Sequence, residues 1–238
     1  MAPRSKLKTL VLNLTQIVFP DRQFVSILKY ELDLLFVSIY SKLSPVEWVK
    51  EGTRKKATDL KINIGNGPFK HPGWINVDCH ISLKKDDVVC DLRRKWPLRS
   101  ASAKYIFSEH VFEHFGYPDE IGHVLHECHR VLRPGGVLRV IVPDADRYLR
   151  AYADNDEDFV RRVGGDSVSN LSLVNTMMRE NGFHRYAYNY SELEEVLKRA
   201  GFTSISHSSL GASEHRELNL DLDNGQRDLE SLYVEAVK

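Results

Sequence analysis

The chain has 238 residues, which is enough for one ordinary domain with a modest extension. Apolar residues make up 42% and charged residues 28%, so we expect a buried core and exclude wholesale disorder. The 33 basic and 33 acidic side chains cancel, so the chain lacks the basic excess of a bulk electrostatic nucleic-acid binder. We therefore expect no nucleic acid among its partners.

The cysteines indicate the compartment. Cys79, Cys90 and Cys128 are few, odd in number and irregularly spaced, which argues against a disulfide framework. No CxxC pair is present, so the usual structural zinc site is not expected either. The sequence predicts a reducing, cytoplasmic location, with membrane association left open by the N-terminal region.

Residues 1–57 are predicted to form a helical extension, because apolar side chains recur there at helical spacing. Charged residues such as Lys29, Glu31 and Asp33 interrupt its second apolar stretch, which argues against a transmembrane helix. We expect the extension to pack on the main domain or on the second copy of a homodimer. The alternative is a peripheral membrane contact, assisted by basic residues such as Lys6 and Lys8. We also expect the extension to be dispensable for ligand binding by the main domain.

Residues 58–238 are predicted to form an α/β domain. Short apolar runs at 60–64, 74–77, 87–90, 104–107 and 137–142 predict strands, and 202–207 and 231–237 predict two more. A helical stripe from Ile121 to Leu132 separates the fourth strand from the fifth. Ser191 and Glu194 predict a capping box for a later helix, which Gly201 ends. This alternation predicts a largely parallel sheet.

Two groups of residues at strand ends predict a nucleotide-like site. The turn Asn63-Ile-Gly65-Asn66-Gly67 follows the first strand, and its glycines allow a ligand to approach the backbone closely. Asp78 ends the second strand, where its carboxylate could accept hydrogen bonds from two ribose hydroxyls. Asp91 and Leu92 end the third strand, where they could meet an adenine amino group and its ring face. A tight turn, a helix cap or a loop salt bridge is the structural alternative for these residues.

Six motifs then occur in order along the chain. They are Asn63-Ile-Gly-Asn-Gly67, Gly73-Trp-Ile-Asn-Val-Asp78, Asp91-Leu92, Ser108-Glu-His-Val-Phe-Glu-His114, Arg130-Val-Leu-Arg-Pro-Gly-Gly136 and Val142-Pro-Asp144. Together they resemble the class I S-adenosylmethionine-dependent methyltransferases of the type 11 group. The ending, with Gly182-Phe-His-Arg185 and Glu230-Ser-Leu-Tyr-Val-Glu-Ala236, resembles a bacterial subset linked to glycan biosynthesis.

The resemblance implies a Rossmann-like class I methyltransferase sheet with helices on both faces, and S-adenosyl-L-methionine as the cofactor. Ser108 and Glu109, at the end of the fourth strand, would line the methyl-donor pocket with the turn residues. Asn63 stands where the family usually has an acidic residue, which weakens its role as a partner for the methionine ammonium group. The implied activity is O-methylation of a sugar hydroxyl in a glycan or glycan precursor. The alternatives are a small non-sugar acceptor, or a non-catalytic scaffold subunit whose N-terminal region mediates assembly.

The chemistry requires a base as well as a donor. A hydroxyl acceptor must be aligned with the methyl group and must lose a proton. We predict His184 as the general base and Asp144 as the residue that orients the acceptor or the imidazole. His110 and Asp146 remain further base candidates.

The run His110-Val-Phe-Glu113-His114 has several interpretations. As a bare pattern it matches the inverted zinc-protease motif HxxEH, but it follows a strand directly instead of lying on a long helix. We predict no metal site, and keep as an alternative that His110, Glu113 and His114 bind a divalent ion that lowers the pKa of a hydroxyl. A simpler possibility is that Glu113 and His114 only form hydrogen bonds at a helix start.

Overall fold

The structure, a computed structural model, describes residues 22–44, 57–65, 67, 69–79, 87–166 and 168–238. Within them a long helix, α1 (Arg22–Leu43), precedes the α/β domain. The strands are β1 (Leu60–Ile64), β2 (Ile75–Asp78), β3 (Asp87–Val89), β4 (Ala103–Glu109), β5 (Leu132–Pro143), β6 (Ser204–Ser208) and β7 (Ser231–Val237). The later helices are α2 (Asp119–Val131), α3 (Ala145–Ala153), α4 (Glu157–Gly164), α5 (Asn170–Arg179), α6 (Tyr190–Arg199) and the short α7 (Arg227–Glu230).

The seven described strands form one sheet in the order β3-β2-β1-β4-β5-β7-β6. Neighbouring strands among β1 to β5 pair in parallel, whereas β7 runs antiparallel to both β5 and β6. The predicted Rossmann-like α/β sheet is therefore confirmed. All seven predicted strands are present, with ends that shift by a few residues.

The two faces of the sheet are covered differently. Ile62, Ile106 and Leu138 face α2 and α6 in one continuous apolar core. On the opposite face, Phe107 and Tyr233 pack with Leu218 of the 3-10 helix Arg216–Leu218. Because both faces are covered, the central strands carry buried apolar side chains on both faces, such as Ile106 and Phe107 of β4.

Helix starts in the second half of the chain are set by single polar caps. The side chains of Asp144, Asp156 and Ser169 accept hydrogen bonds from the first turns of α3, α4 and α5. The predicted capping box at Ser191 is wrong, because α6 begins at Tyr190 and its cap is Asn189, whose Oδ1 accepts from the Glu192 amide at 3.0 Å. Asparagine is as good a cap as serine, so the helix starts two residues earlier than the box would allow.

Helix α1 has one buried side and one exposed side. Leu34 and Val37 are each only 3% exposed, whereas Leu35 and Phe36 are each 58% exposed. The apolar exposed side is continued by Phe24, Leu28, Leu32, Ile39 and Leu43. The predicted membrane contact and the predicted homodimer stay predictions, and Lys6 and Lys8 lie outside the described residues. Among the described residues, no helix is long and apolar enough to cross a membrane.

A buried arginine ties the loop after β6 to the sheet. Arg139, in the middle of β5, is fully buried and forms ion pairs with Asp221 and, at 2.8 Å, with Glu235. Its guanidinium also donates to the Ser208 hydroxyl at 2.9 Å and the Ser209 carbonyl at 2.8 Å. These bonds satisfy a charge that would otherwise be very costly to bury.

We expect Arg139→Gln to lower the free energy of unfolding by about 3–5 kcal/mol, because it leaves Asp221 buried without its partner. Arg133→Gln is the matched control, since its ion pair with Asp59 lies at the surface and should contribute at most about 1 kcal/mol. Urea unfolding of both variants measures the difference. Equal stability losses would contradict the assigned role of Arg139.

Candidate functional site

A cavity of about 470 Å³ opens at the carboxyl ends of β1 and β2. Five of the residues predicted to bind the cofactor line it together: Gly65, Gly67, Asp78, Asp91 and Leu92. Its volume lies within the range of about 300–1,000 Å³ that is usual for small-molecule sites. Asn66 lies outside the described residues.

The first turn depends on a residue without a side chain. Gly65 has φ +63°, and a Cβ there would lie 2.4 Å from Cγ2 of Val111. The β1 turn therefore approaches the segment after β4 more closely than any other residue would permit. This close approach brings the turn and the start of the 110–114 segment into the same wall.

Two acidic residues stand on the wall of this cavity. Oδ2 of Asp78 accepts a hydrogen bond from the Gly67 amide at 2.8 Å, which fixes the carboxylate beside the glycine turn. Oδ1 of Asp91, which is 4% exposed, accepts from the Arg93 amide at 2.9 Å and from Nε of Arg93 at 3.0 Å. The predicted contact of Asp91 with adenine stays a prediction, and its carboxylate is already held by Arg93.

Helix α1 forms one side of this cavity through Ile27, Tyr30, Glu31 and Leu34. It is fastened there by Arg93, whose two terminal nitrogens bond the Glu31 carboxylate at 2.8 and 2.9 Å. The expectation that the N-terminal extension is dispensable for ligand binding does not fit this position, because the helix supplies part of the cavity wall. This position of α1 could not be predicted from the sequence, since Arg93 and Glu31 are 62 residues apart.

A smaller cavity of about 200 Å³ adjoins the first and shares Gly65, Gly67 and His110 with it. Asn63 and Glu109 line this smaller cavity. Nδ2 of Asn63 donates to the Phe69 carbonyl at 3.1 Å. Burial raises the pKa of Glu109, whose oxygens accept from the Leu222 amide. Ser108 is fully buried and lines neither cavity.

A further cavity of about 500 Å³ lies on the other side of the 110–114 segment. His110 and His114 line both this cavity and the 470 Å³ cavity, so they form a shared wall. Glu113 and His184 line only the second cavity of the pair. We call the 470 Å³ space the donor cavity and the 500 Å³ space the acceptor cavity, after the ligands that the sequence resemblance predicts.

Three residues come together on the acceptor side of this wall: Glu113, His114 and His184. One ligand-type atom from each lies within 4.8 Å of the other two. The Glu113 carbonyl accepts from the Arg185 amide at 2.7 Å and from the Tyr186 amide at 3.2 Å, which holds the 183–186 segment against the 3-10 helix Phe112–His114. Glu113 and His114 are neighbours in the sequence, but His184 follows about 70 residues later, and no spacing rule would have paired it with them.

The histidines of the cluster are both oriented by backbone carbonyls. Nδ1 of His114 bonds the Phe183 carbonyl at 3.1 Å, and Nδ1 of His184 bonds the Met177 carbonyl. A carbonyl only accepts, so each Nδ1 carries a proton, and Nε2 is the nitrogen of each ring that these backbone bonds leave available. Burial lowers the pKa of His114.

Glu113 is the most unusual group of the site. It is 2% exposed, and neither of its carboxylate oxygens has a hydrogen-bond partner among the described residues. Burial raises its pKa to about 8. Nδ1 of His110 lies 3.4 Å from Oε1 without forming a hydrogen bond to it.

His110 is held by other partners. Its Nε2 lies 3.0 Å from the Ser231 hydroxyl, and a terminal nitrogen of Arg227 lies 2.8 Å from its ring nitrogens. Burial and the charge of Arg227 lower its pKa well below the usual value. His110 therefore lies beside Glu113, but its ring nitrogens are engaged by Ser231 and Arg227.

Asp144 lies elsewhere. Its carboxylate caps α3 by accepting from the Asp146 amide at 3.1 Å, and Oδ2 lies 3.3 Å from Nε of Arg147. Burial raises its pKa. Asp144 is not among the residues that line the acceptor cavity, so the structure gives no support for its predicted role beside His184.

Comparison with known proteins agrees with the resemblance at a coarse level. Residues 77–140 match the family model described as a methyltransferase domain, which covers the end of β2, β3, β4, the 110–114 segment, α2 and much of β5. This match supports a class I methyltransferase that uses S-adenosylmethionine. No match to a curated protein was found.

Solved structures with a related fold include several methyltransferases. A possible histamine N-methyltransferase from Thermotoga maritima is 19% identical with a TM-score of 0.47, and the alignment covers 89% of this chain and 96% of that one. A SAM-dependent methyltransferase from Archaeoglobus fulgidus is 15% identical with a TM-score of 0.48, covering 85% and 99%. A phosphoethanolamine N-methyltransferase from Haemonchus contortus is 15% identical with a TM-score of 0.44, covering 85% and 56%. At such identities and TM-scores, none of these likenesses assigns a substrate to this chain.

The donor cavity has groups that suit the adenosine part of S-adenosylmethionine. Asp78 offers a carboxylate for ribose hydroxyls, and Leu92 offers an apolar surface for a purine ring. The Gly65 turn provides backbone without a side chain beside them. The residues present therefore fit the cofactor that the family match supports.

We expect Asp78→Ala to weaken binding of S-adenosylhomocysteine at least tenfold, because each hydrogen bond to a charged group contributes about 1.5–3 kcal/mol. Asp119→Ala, at the start of α2, is the control and should bind normally. Isothermal titration calorimetry of both folded variants measures the effect. Unchanged S-adenosylhomocysteine binding by Asp78→Ala would show that the ligand does not bind in the donor cavity through Asp78.

Leu34→Ala tests the contribution of α1. Replacing a buried leucine with alanine typically costs about 2–5 kcal/mol, so this change should loosen the packing of α1. We expect S-adenosylhomocysteine binding to weaken by about tenfold as a result. Leu35→Ala is the matched control on the exposed side of the same helix. Calorimetry and the hydrogen-exchange rate of α1 measure the two effects. If the two variants bind alike, α1 is not part of the donor cavity in solution.

Proposed function

We propose that this protein is an S-adenosylmethionine-dependent O-methyltransferase whose acceptor is a sugar hydroxyl in a glycan or glycan precursor. The observation that carries the proposal is the shared wall of His110 and His114 between the donor and acceptor cavities. A methyl group must cross from one ligand to another in line, so the two ligands need adjoining sites with little between them. Five of the residues predicted to bind the methyl donor line the donor cavity, on one side of this wall.

The acceptor cavity supports a polyhydroxylated substrate. Its walls carry carboxylates, an amide and hydroxyls, from Glu180, Glu230, Gln226, Tyr148 and Thr176. Glu230 is itself held, because it accepts from the Tyr148 hydroxyl at 2.7 Å and from Gln226 at 3.3 Å. Such fixed acceptors and donors suit sugar hydroxyls better than they suit an apolar acceptor.

S-adenosylmethionine, when bound, supplies an electrophilic methyl carbon and a neutral thioether leaving group. The residues of this chain would hold the donor at Asp78 and the acceptor at the polar wall, with the hydroxyl oxygen facing the methyl carbon. Transfer of the methyl group to that oxygen would leave a neutral thioether, so only the hydroxyl proton would need an acceptor. His184 would take this proton at Nε2, because its Nδ1 is bonded to the Met177 carbonyl.

Glu180 is placed to assist this proton transfer. Its Oε2 lies 3.0 Å from Nε2 of His184, where it stabilises the imidazole once it is protonated. The Asp144 carboxylate, which caps α3, is not needed for the step.

Methyl transfer assays with labelled S-adenosylmethionine test the acceptor class. Nucleotide sugars, glycan fragments and small amines would be offered to the full-length protein. Labelling of a sugar oxygen supports the proposal, whereas labelling of amines alone indicates a small non-sugar acceptor. A protein that binds S-adenosylhomocysteine but transfers no label to any acceptor offered would favour the scaffold alternative.

His184→Ala should lower turnover by about 10²–10⁴-fold, the usual contribution of general-base help, and should leave S-adenosylhomocysteine affinity nearly unchanged. His207→Ala, an exposed histidine on β6, is the control. Steady-state kinetics and calorimetry separate the effects on turnover and on donor binding. Normal turnover by His184→Ala would show that the base lies elsewhere.

A further inference from the structure

We propose that Glu113, His114 and His184 form a binding site for one divalent first-row transition-metal ion in the acceptor cavity. The cluster combines two imidazoles and one carboxylate, a ligand set that leaves coordination positions open for a substrate oxygen. Its ligand-type atoms all lie within 4.8 Å of one another. Metal–ligand bonds of about 2.0–2.2 Å hold ligand atoms at most about 4.4 Å apart, so the three need only small side-chain rotations to converge.

The unpartnered carboxylate of Glu113 is the first observation that points to a cation. It is 2% exposed, and both of its oxygens lack a hydrogen-bond partner among the described residues. Buried polar atoms are almost always satisfied, and an orphaned carboxylate beside two imidazoles calls for a missing positive partner. A bound metal ion would satisfy it.

The orientation of the histidines is the second observation. Each donates its Nδ1 proton to a backbone carbonyl, Phe183 for His114 and Met177 for His184. Metal-binding histidines characteristically use one ring nitrogen for the metal and the other for such a carbonyl. The hydrogen bonds thus leave both Nε2 lone pairs for an ion and fix the ring orientations in advance.

The contact between His184 and Glu180 is the third observation. Oε2 of Glu180 lies 3.0 Å from Nε2 of His184, so a second carboxylate stands beside the cluster. Carboxylate oxygens and imidazole nitrogens are both ligands of divalent transition-metal ions. Glu180 is therefore a candidate for a fourth ligand at the exposed edge of the site.

The composition of the cavity wall favours a cation. Glu180 and Glu230 line it together with Glu113, which a bound cation would keep ionised, and Arg227 is the one arginine among the described lining residues. Arg227 is turned to other partners, since it lies 3.0 Å from Glu230 and 2.8 Å from the ring nitrogens of His110. His110 is thereby kept outside the ligand set, which differs from the grouping that the sequence suggested.

Such an ion would give the proposed methyl transfer a second means of activating its acceptor. A hydroxyl bound to the ion loses its proton more readily, as metal-bound water does, whose pKa falls to about 7. His184 would then act as a ligand, and the hydroxyl proton would pass to water or to Glu180. This catalytic role rests on the proposed function, whereas the metal site itself does not.

Metal binding by the full-length protein, purified without a histidine tag and stripped with a chelator, tests the proposal. Co²⁺ is the probe, because its visible absorption reports histidine and carboxylate ligands directly, and equilibrium dialysis with Zn²⁺ gives the stoichiometry. We expect the unmodified protein to bind one equivalent of ion and to show a Co²⁺ absorption band. Glu113→Gln and His184→Ala should each lower the metal affinity at least tenfold. His126→Ala, on the exposed side of α2, is the matched control and should bind as the unmodified protein does.

Thermal unfolding and calorimetry keep the outcomes distinct. Zn²⁺ should raise the melting temperature of the unmodified protein and not that of Glu113→Gln, which keeps the size of the side chain and should fold. No bound ion, or binding that persists equally in both cluster variants, would overturn the proposal and indicate an adventitious ion at most. S-adenosylhomocysteine binding is measured in parallel, so a failed metal site with intact donor binding leaves the proposed function standing.

Discussion

The pairing of β1 with β4 is the constraint on which the rest of the site depends. Ile64 lies opposite Ser108 in this parallel register, so β1 and β4 end at the same edge of the sheet. A one-residue slip would turn every side chain of β1 to the other face and expose its apolar set. The register is fixed because Ile62 and Ile64 are fully buried in the core. The Gly65 turn and the 110–114 segment therefore meet, which no property of either segment alone requires.

At this edge of the sheet, the 110–114 segment presents different side chains to the two cavities. Toward the donor cavity, the segment presents Val111 to the Gly65 turn. Toward the acceptor cavity, it presents Glu113, a buried carboxylate without a partner. Burial of such a group destabilises the fold unless something compensates it, and natural proteins tolerate that cost mainly at functional sites. The local cost is therefore consistent with a chemical role at this wall.

The fold was largely predictable because its signals are local. The central strands begin as short runs of apolar residues in the sequence, and the carboxyl ends of β1 and β2 carry the glycines and the acidic residue that marked the donor cavity. The start of α6 was not predictable, since Asn189 and Ser191 are both good caps and only packing chooses between them. The polar segment 151–190 carries weak sequence signals, because its two short α-helices, α4 and α5, each depend on one side-chain cap and on tertiary packing.

The acceptor side was much less visible in the sequence. His184 was singled out as a base, but its neighbours Glu113 and His114 lie about 70 residues earlier, and backbone hydrogen bonds to the Glu113 carbonyl join them. The same holds for α1, whose place beside the donor cavity depends on a long-range ion pair between Arg93 and Glu31. Contacts between side chains distant in the chain follow from topology, and sequence spacing carries no record of them.

A crystal structure of the protein with S-adenosylhomocysteine tests the arrangement of two cavities most directly. We expect the adenosine to lie between Asp78 and Leu92 and the sulfur to point toward the wall formed by His110 and His114. Adenosine bound outside this cavity, or a sulfur directed away from that wall, would contradict it.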